Sequence, residues 1–215
     1  MKRTALYQIH QHLRARFGVY HGWEVPEAFA GTPREAAAVR GGVGLCDVSW
    51  LAKIDLKGFG LKAAPSLGPS ADCWHLGACH YLATFDPEAR GAVLRSIQAL
   101  TGAAPELDLP PPVYATEVTS VYAALLLAGP KSRHTLRKLT SLNVSESALP
   151  DGACGQAGLA HVHTLVLRRD LGGLPAFLLL VGREYAESVW EAIAHAGQEF
   201  HLTPFGLEAW RLLSL

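Results

Sequence analysis

One pattern occurs twice in this chain of 215 residues and constrains its fold more than any other feature. An apolar strand at 81–85 is followed by a three-residue polar turn and an amphipathic helix that runs through Ile97. A second apolar strand at 177–181 is followed by a turn of the same length and a helix through Ile193. A strand and a helix that follow each other in this way bury their apolar faces by laying the helix on a sheet. The sequence therefore predicts an α+β fold with antiparallel sheets.

The two strand-turn-helix segments also match position by position. In register, Glu88 falls on Glu184, Val93 on Val189 and Ile97 on Ile193, and an internal duplication or the reuse of a common building block would each produce this match. Four prolines near 105–112 indicate a joint. We expect a single domain over 1–215 with two pseudo-repeated halves, about 1–105 and 113–215.

Further elements follow from apolar spacing and turn residues. We predict helices over 4–17 with Thr4 as its cap, over 33–40 after Thr32, and over 131–139 after a Gly-Pro turn. The Gly22–Pro26 segment is expected to break the first helix. Strands are expected within 43–56, at 124–128 and at 161–167, with a loop over 59–70 and a hairpin over 170–175.

Composition removes several classes of partner. Nineteen basic side chains balance nineteen acidic ones, so we expect neither nucleic acid nor an anionic membrane as a partner. The apolar runs are too short to span a bilayer, and the opening residues lack the apolar stretch of a signal peptide. Four irregularly spaced cysteines are typical of free thiols, so we expect a cytoplasmic protein.

The search for metal ligands gives two weak clusters. Cys73, His75, Cys79 and His80 lie within eight residues without zinc spacing, and Cys79 and His80 are expected to point opposite ways on a strand. His161 and His163 are expected to share a strand face, where histidines are more often structural than metal-bound. Cys46 is expected to be an inert core thiol. The sequence thus predicts no metal site.

Several ordered motifs resemble one known family. They are Leu6-Tyr7…His10 with the Gly-Trp-Glu-Val-Pro segment, Ala38-Val39-Arg40 before Gly44-Leu45-Cys46-Asp47-Val48-Ser49, Leu126-Leu127-Ala128-Gly129-Pro130-Lys131, Glu184-Tyr185-Ala186-Glu187, and Phe205-Gly206-Leu207. In this order they resemble the glycine cleavage T-protein (aminomethyltransferase) family. The resemblance implies the folate-binding-domain fold of that family, in a shortened form whose C-terminal barrel is absent.

The resemblance also implies a folate pocket. Its candidate residues are those of the segment that lines the folate cavity in the family, together with the position that holds an arginine there: Asp47, Ser49, Trp50, Leu51, Lys53 and Trp210. The residues themselves leave plainer roles open. Trp50 and Leu51 also fit ordinary core positions, Asp47 and Arg40 fit pairing or capping, and Trp23 fits an anchor for the first helix.

The resemblance counts against catalysis. Leu171-Gly172-Gly173-Leu174 stands where the family has an acid-bearing hairpin, Trp210 replaces an arginine, and the loop that carries the catalytic aspartate is missing between 58 and 81. We expect no catalytic residue and weak or lost binding of tetrahydrofolate. The implied protein is an aminomethyltransferase-like member of folate-dependent one-carbon metabolism that is inactive alone. The alternative is a non-catalytic partner subunit similar to the gamma subunit of sarcosine oxidase, a flavin-dependent amine oxidase.

Overall fold

The computed structural model describes residues 1–101 and 112–215. The proline-rich joint predicted at 105–112 therefore lies almost entirely outside the described residues. The chain divides into two compact units. Unit 1 combines 1–50 with 120–215, and unit 2 consists of 51–119. Each unit holds one copy of the repeated strand-turn-helix pattern.

Unit 1 contains two sheets. A three-stranded sheet has the order β1-β3-β2, and a six-stranded sheet has the order β10-β11-β12-β9-β4-β13. The strands are β1 (Lys2–Arg3), β2 (Arg16–Tyr20), β3 (Trp23–Ala28), β4 (Gly44–Asp47), β9 (Tyr122–Ala128), β10 (Cys154–Leu159), β11 (Val162–Arg168), β12 (Ala176–Gly182) and β13 (Thr203–Pro204). The helices are α1 (Tyr7–His12), α2 (Thr32–Gly41), α4 (Ser132–Leu136), α5 (Ala186–Ala196) and α6 (Leu207–Leu213).

Antiparallel pairing dominates the six-stranded sheet. Strand β12 pairs with both β9 and β11, and Leu178 lies opposite Leu126 and Leu167 in the two registers. Only the short β13 pairs in parallel, with β4. Because β9 and β12 are central, their side chains are buried on both faces, which explains their continuous apolar sequences.

The described residues of unit 2 form a four-stranded antiparallel sheet and the helix α3. The sheet order is β6-β7-β5-β8, with β5 (Ala52–Lys57), β6 (Ala71–Gly77), β7 (His80–Phe85), β8 (Tyr114–Glu117) and α3 (Arg90–Thr101). Its own hydrophobic cluster combines strand residues such as Ile54 and Phe85 with Val93 and Ile97 of the helix. The loop predicted over 59–70 lies between β5 and β6, as expected.

The repeated pattern is confirmed in both copies. Strand β7 is followed by a 3-10 turn at Pro87–Ala89 and then by α3, while β12 is followed by a 3-10 turn at Arg183–Tyr185 and then by α5. Val93 and Ile97 are buried in the first copy, and Val189 and Ile193 in the second. The mixed α+β architecture with antiparallel sheets therefore agrees with the sequence prediction.

The first predicted helix is wrong in its length. Helix α1 covers only Tyr7–His12, Arg14 adopts a left-handed φ of 57°, and the chain continues as β2 from Arg16. Phe17, which continues the helical spacing in the sequence, pairs instead with Pro26 in β3. The Gly22–Pro26 segment is thus a turn and a strand. Because β2 and β3 form a hairpin, cross-strand pairing overrides the helical periodicity.

Two predicted helix starts and one helix end also differ. Leu6 precedes α1, so Thr4 is not its cap, and Gly31 rather than Thr32 precedes α2. The Glu35 carboxylate accepts the amide hydrogens of residues 29, 30 and 31 at 2.7–3.0 Å, which satisfies these amides in place of a side-chain cap. Helix α4 ends at Leu136, after which Lys138 and Leu139 make the tighter i→i−3 bonds of a 3-10 turn.

Candidate functional site

Asp47 ends strand β4 in a place closed to solvent. His10 of α1 hydrogen-bonds through Nε2 to Oδ2 of Asp47 at 2.9 Å, and neither side chain is exposed. Ser49 donates to Oδ1 from its backbone N–H at 3.0 Å and from its hydroxyl at 2.6 Å. Both carboxylate oxygens therefore accept hydrogen bonds from within unit 1.

These contacts set the pKa of the Asp47 carboxyl. Burial by itself would raise this pKa, but the hydrogen bond and the charge of His10 oppose it, and hydrogen bonds from Ser49 and Thr4 add to them. The result is a pKa below its ordinary value of 3.8. Asp47 is thus held as a carboxylate, which makes it an acceptor and not a proton donor.

Ser49 links the end of β4 to its neighbouring strand. Its hydroxyl donates to Asp47 and also accepts the backbone N–H of Ala124 at 3.0 Å. Val48 adds a second link, since its N–H donates to the carbonyl of Ala124. The candidate residues Asp47 and Ser49 therefore act together as a hydrogen-bonded joint where the chain leaves β4.

Trp50 lies in an aromatic cluster of unit 1. Its ring centroid is 4.8 Å from that of Tyr20 and 5.2 Å from that of Trp210, and both pairs are edge-to-face. Trp50 is buried, whereas Trp210 is half-buried. The guanidinium of Arg211 lies over the ring of Tyr20, 4.8 Å from its centroid. Such pairs stabilise by about 1 kcal/mol beyond their buried area.

Leu51 and Lys53 open unit 2. Lys53 is fully buried, and its Nζ donates to the carbonyl oxygen of Leu51 at 2.8 Å. The backbone of Lys53, near the start of β5, is held by two hydrogen bonds. Its N–H donates to the Thr119 hydroxyl, and its carbonyl accepts the N–H of Val118. The backbone and the side chain of this buried lysine are therefore both held by hydrogen bonds.

The hairpin at 171–174 is small and apolar. Leu171 and Leu174 exchange two backbone hydrogen bonds around Gly172 and Gly173. These two residues have φ values of 53° and 76°, in the left-handed region that glycine adopts without strain because it has no Cβ atom. A side chain at Gly172 would meet the carbonyl oxygen of Leu213 in α6. The hairpin predicted over 170–175 is confirmed, and its two-residue tip carries no acidic group.

The two cysteines with shifted pKa values are poor nucleophiles. Burial raises the pKa of the Cys46 thiol well above its usual range, with the neighbouring carboxylates of Asp47 and Glu35 adding to the effect. Burial also raises the pKa of Cys73 to about 11. A thiol with such a pKa remains protonated at neutral pH and is unreactive. Cys46 is buried, as the sequence predicts.

The two clusters of cysteine and histidine residues that were considered as metal ligands differ from the expected strand geometry. Cys79 is in the turn between β6 and β7 with φ of 54°, so it does not alternate with His80 on a strand. His80 instead hydrogen-bonds through Nε2 to Asp55 at 2.6 Å. His161 also lies in a turn, with φ of 68°, and therefore does not share a strand face with His163.

His10 is the site residue that the sequence prediction missed. The folate-pocket candidates of unit 1 fall into two groups. Asp47 and Ser49 hydrogen-bond to each other, and Asp47 also binds His10. Trp50 and Trp210 pack edge-to-face. The sequence contained a signal for His10, because this residue lies in the opening motif Leu6-Tyr7…His10. Its partner Asp47 is 37 residues away, however, so spacing along the chain does not connect the two.

Comparison with known proteins identifies the family. The model of the GCVT N-terminal domain matches residues 6–66 and 71–215. The aminomethyltransferase of Acidobacterium capsulatum is 28% identical over 100% of this chain, and that of Geobacillus thermodenitrificans is 31% identical over 97% of it. In both cases the chain spans 62% of the relative's length.

Two solved structures share the fold. The glycine cleavage system aminomethyltransferase T from Bartonella henselae superposes with a TM-score of 0.73 over 99% of this chain and 62% of its own, at 18% identity. A chain of the heterotetrameric sarcosine oxidase from Corynebacterium sp. U-96 gives a TM-score of 0.58 over 79% of this chain and 92% of its own, at 17% identity. The family match over residues 6–66 and 71–215 shows that the chain belongs to the GCVT N-terminal domain family, the glycine cleavage T-protein family that its motifs resemble.

Proposed function

We propose that this chain is an aminomethyltransferase-like protein of folate-dependent one-carbon metabolism that does not catalyse group transfer by itself. The proposal rests on the family membership and on one observation above all. Asp47 is one of the residues that the resemblance assigns to a folate pocket, and both of its carboxylate oxygens already accept hydrogen bonds, from His10 and Ser49. A pterin ring would have to replace bonds that already satisfy a buried charge, which costs several kcal/mol.

Trp210 and Leu174 support weak or lost folate binding. Trp210 stands where the family has an arginine, and its indole packs edge-on against Trp50. Leu174 stands in the hairpin where the family has an acid, and an alkyl side chain cannot accept a hydrogen bond from a pterin. A site without this polar contact loses several kcal/mol of its preference for a ligand that carries the matching hydrogen-bond donor. We propose tetrahydrofolate as the ancestral ligand, bound weakly or no longer bound.

A binding experiment tests this proposal. Isothermal titration with 5-formyltetrahydrofolate is expected to give weak binding or none, and transfer from an aminomethylated lipoyl carrier is expected to be undetectable. The aminomethyltransferase of Geobacillus thermodenitrificans provides the positive control under the same conditions. Robust turnover by the isolated chain would contradict the non-catalytic part of the proposal.

A double variant tests the cause. Restoring the polar positions as Leu174→Glu with Trp210→Arg should strengthen 5-formyltetrahydrofolate binding measurably. Val121→Glu, which adds an acid at an exposed position of unit 1, is the control for an added acid and should leave binding unchanged. If the double variant binds no better than the original chain, these two substitutions are not the reason for weak binding.

The similarity to a sarcosine oxidase chain favours a second candidate function. The superposition covers 92% of the sarcosine oxidase chain, so the similarity extends over nearly all of that chain. The alternative is therefore a non-catalytic subunit of a flavin-dependent amine oxidase complex. Co-purification of a tagged chain from its own cells, read by flavin absorbance, tests it. A stable flavoprotein partner supports this alternative, and recovery of the chain without flavin contradicts it.

We also propose a cytoplasmic location. The four cysteines are free thiols, as expected for a reducing compartment. Within the part of the chain that the structure describes, no helix has the length and apolar character needed to cross a membrane. Fractionation of cells that express the chain at its native level would check the location.

A further inference from the structure

A groove of about 590 Å³ in unit 1 lies beside α4, away from the candidate folate residues. The groove is lined by the basic side chains of Arg133, His134 and Arg137 and by the segment 140–146. That volume falls within the range of about 300–1,000 Å³ that holds small molecules. None of the proposed functions above uses this groove.

Arg133 is the unusual residue of the groove. Its Nη1 donates to Glu146 at 3.0 Å, but its Nε and Nη2 are buried and have no hydrogen-bond partner among the described residues. A buried donor without a partner costs about 1–3 kcal/mol, and native proteins rarely leave one. Two such donors on one planar guanidinium present the fork that binds oxyanions with two parallel bonds.

Glu146 does not neutralise this arginine fully. Its side chain is 76% exposed, and it also faces the guanidinium of Arg168, 3.5 Å from Nη2. Arg133 and Arg168 together lower the pKa of Glu146. Arg168 also has a second carboxylate partner, since it donates two hydrogen bonds to Asp170 at 3.0 Å. Arg137 adds a further charge at the groove. Since the chain as a whole is neutral, this excess of positive charge is local.

The segment 140–146 supplies polar groups to the groove on a backbone that is held by turns. Thr140 accepts the N–H of Leu142 at 3.2 Å, and the side-chain oxygen of Asn143 accepts the N–H of Ser145 at 3.1 Å. These two successive turns hold the segment in shape. Together with Ser141, they supply hydroxyl and amide groups to the lining of the same groove.

We propose that this groove binds a small phosphorylated molecule, with Arg133 anchoring the phosphoryl group. The combination of a guanidinium fork, a second arginine and several hydroxyl donors offers more bonds than the two oxygens of a carboxylate accept, whereas a phosphoryl group has three free oxygens. The groove is larger than a phosphate ion, so the remainder of the ligand also fits within it. This site is independent of folate binding.

Inorganic phosphate is the probe that tests the site. Titration of the isotope-labelled chain is followed by two-dimensional ¹H–¹⁵N NMR, including the arginine Nε–H signals, with acetate and chloride at equal ionic strength as comparison arms. Phosphate is expected to shift Arg133 and the amides of 140–146 in a saturable way. Equal shifts from acetate or chloride would overturn the proposal, as would shifts spread over the whole surface.

Matched arginine variants complete the test. Arg133→Gln should weaken phosphate binding about tenfold or more, and Arg133→Lys should recover only part of it because lysine lacks the fork. Arg34→Gln removes the same charge from the exposed face of α2 and should have no effect. If Arg133→Gln fails to fold, Arg137→Gln, at an exposed position, should still weaken binding severalfold. Unchanged affinity in the folded groove variants would overturn the proposal.

Discussion

The pair formed by His10 and Asp47 shows what a single buried contact does in this protein. Both side chains are sealed from solvent, and the second imidazole nitrogen of His10, Nδ1, has no partner among the described residues. The ring also meets Phe29 and Trp190 edge-on, at centroid distances of 5.7 and 5.2 Å. Burying two polar groups is costly, so the pair contributes by fixing α1 against the end of β4.

Asp47→Asn is expected to destabilise the protein by about 3–5 kcal/mol, because it leaves His10 buried without its charged partner. The pKa of Asp47 is lower in the folded state than in the unfolded chain, so its contribution is present above the unfolded value of about 4. It is lost as the pH falls through the lower, folded pKa. Urea unfolding at several pH values measures both effects.

The variant should therefore lose less stability than the original chain when the pH falls below about 4. Glu187→Gln, at an exposed position in the first turn of α5, is the control and should stay within about 0.5 kcal/mol at neutral pH. A change in Asp47→Asn as small as that of the control would mean that the buried pair adds nothing to stability.

Residue by residue, the sequence was informative where a motif is local. Asp47, Ser49 and Trp50 stand within four positions of each other, and the structure places the first two in one hydrogen-bonded joint. The role of His10 depends on a fold that brings α1 to β4, and spacing along the chain does not encode that distance. The complete burial of Lys53 on β5 does not follow from the sequence for a different reason, since a lysine in a strand normally faces solvent.

At the scale of elements, prediction succeeded where apolar pattern and turn chemistry agree. Strands β9 and β12 and helices α3 and α5 each carry a periodic pattern bounded by a polar turn or by glycine. The prediction over 4–17 failed because helical spacing continued into β2, where pairing with β3 decides the conformation. Helix α4 was predicted too long because its last turn tightens into a 3-10 turn.

The hairpin at 171–174 offers a test of one element with an internal control. Both Gly172 and Gly173 have positive φ, but a Cβ at Gly172 would lie 2.0 Å from the carbonyl oxygen of Leu213, whereas nothing lies within 4 Å at Gly173. Gly173→Ala should cost about 1 kcal/mol from backbone strain alone. Gly172→Ala should cost about 1–3 kcal/mol more, because α6 must move.

Urea unfolding of the two variants side by side gives this difference directly. The control is built in, since both changes add one methyl group at adjacent residues that both have left-handed backbone conformations. Equal losses of stability in the two variants would show that the hairpin is not packed against the end of α6.

At the scale of the whole chain, two units with separate hydrophobic clusters are built from one repeated pattern. The cluster of unit 1 includes Val189 and Ile193 of α5, and that of unit 2 includes Val93 and Ile97 of α3. The proposed division of the chain into halves of about 1–105 and 113–215 describes this repeat along the sequence. Unit 1 instead combines residues from both sides of the 51–119 segment, because β4 pairs with β9 across it, and unit 2 is that segment itself.

Ile97→Ala and Ile193→Ala probe whether the matched helix positions stabilise their own units. Each change removes a buried side chain and should cost about 2–5 kcal/mol. Hydrogen exchange followed by mass spectrometry should show Ile97→Ala lowering protection first in β5 and β7, and Ile193→Ala first in β9 and β12, because each cavity opens within its own cluster. Leu94→Ala and Glu187→Ala, at exposed positions of the same helices, are the controls and should leave protection unchanged. If both core variants lowered protection equally in all four strands, the chain would open as one cooperative body, and the division into units would have no energetic counterpart.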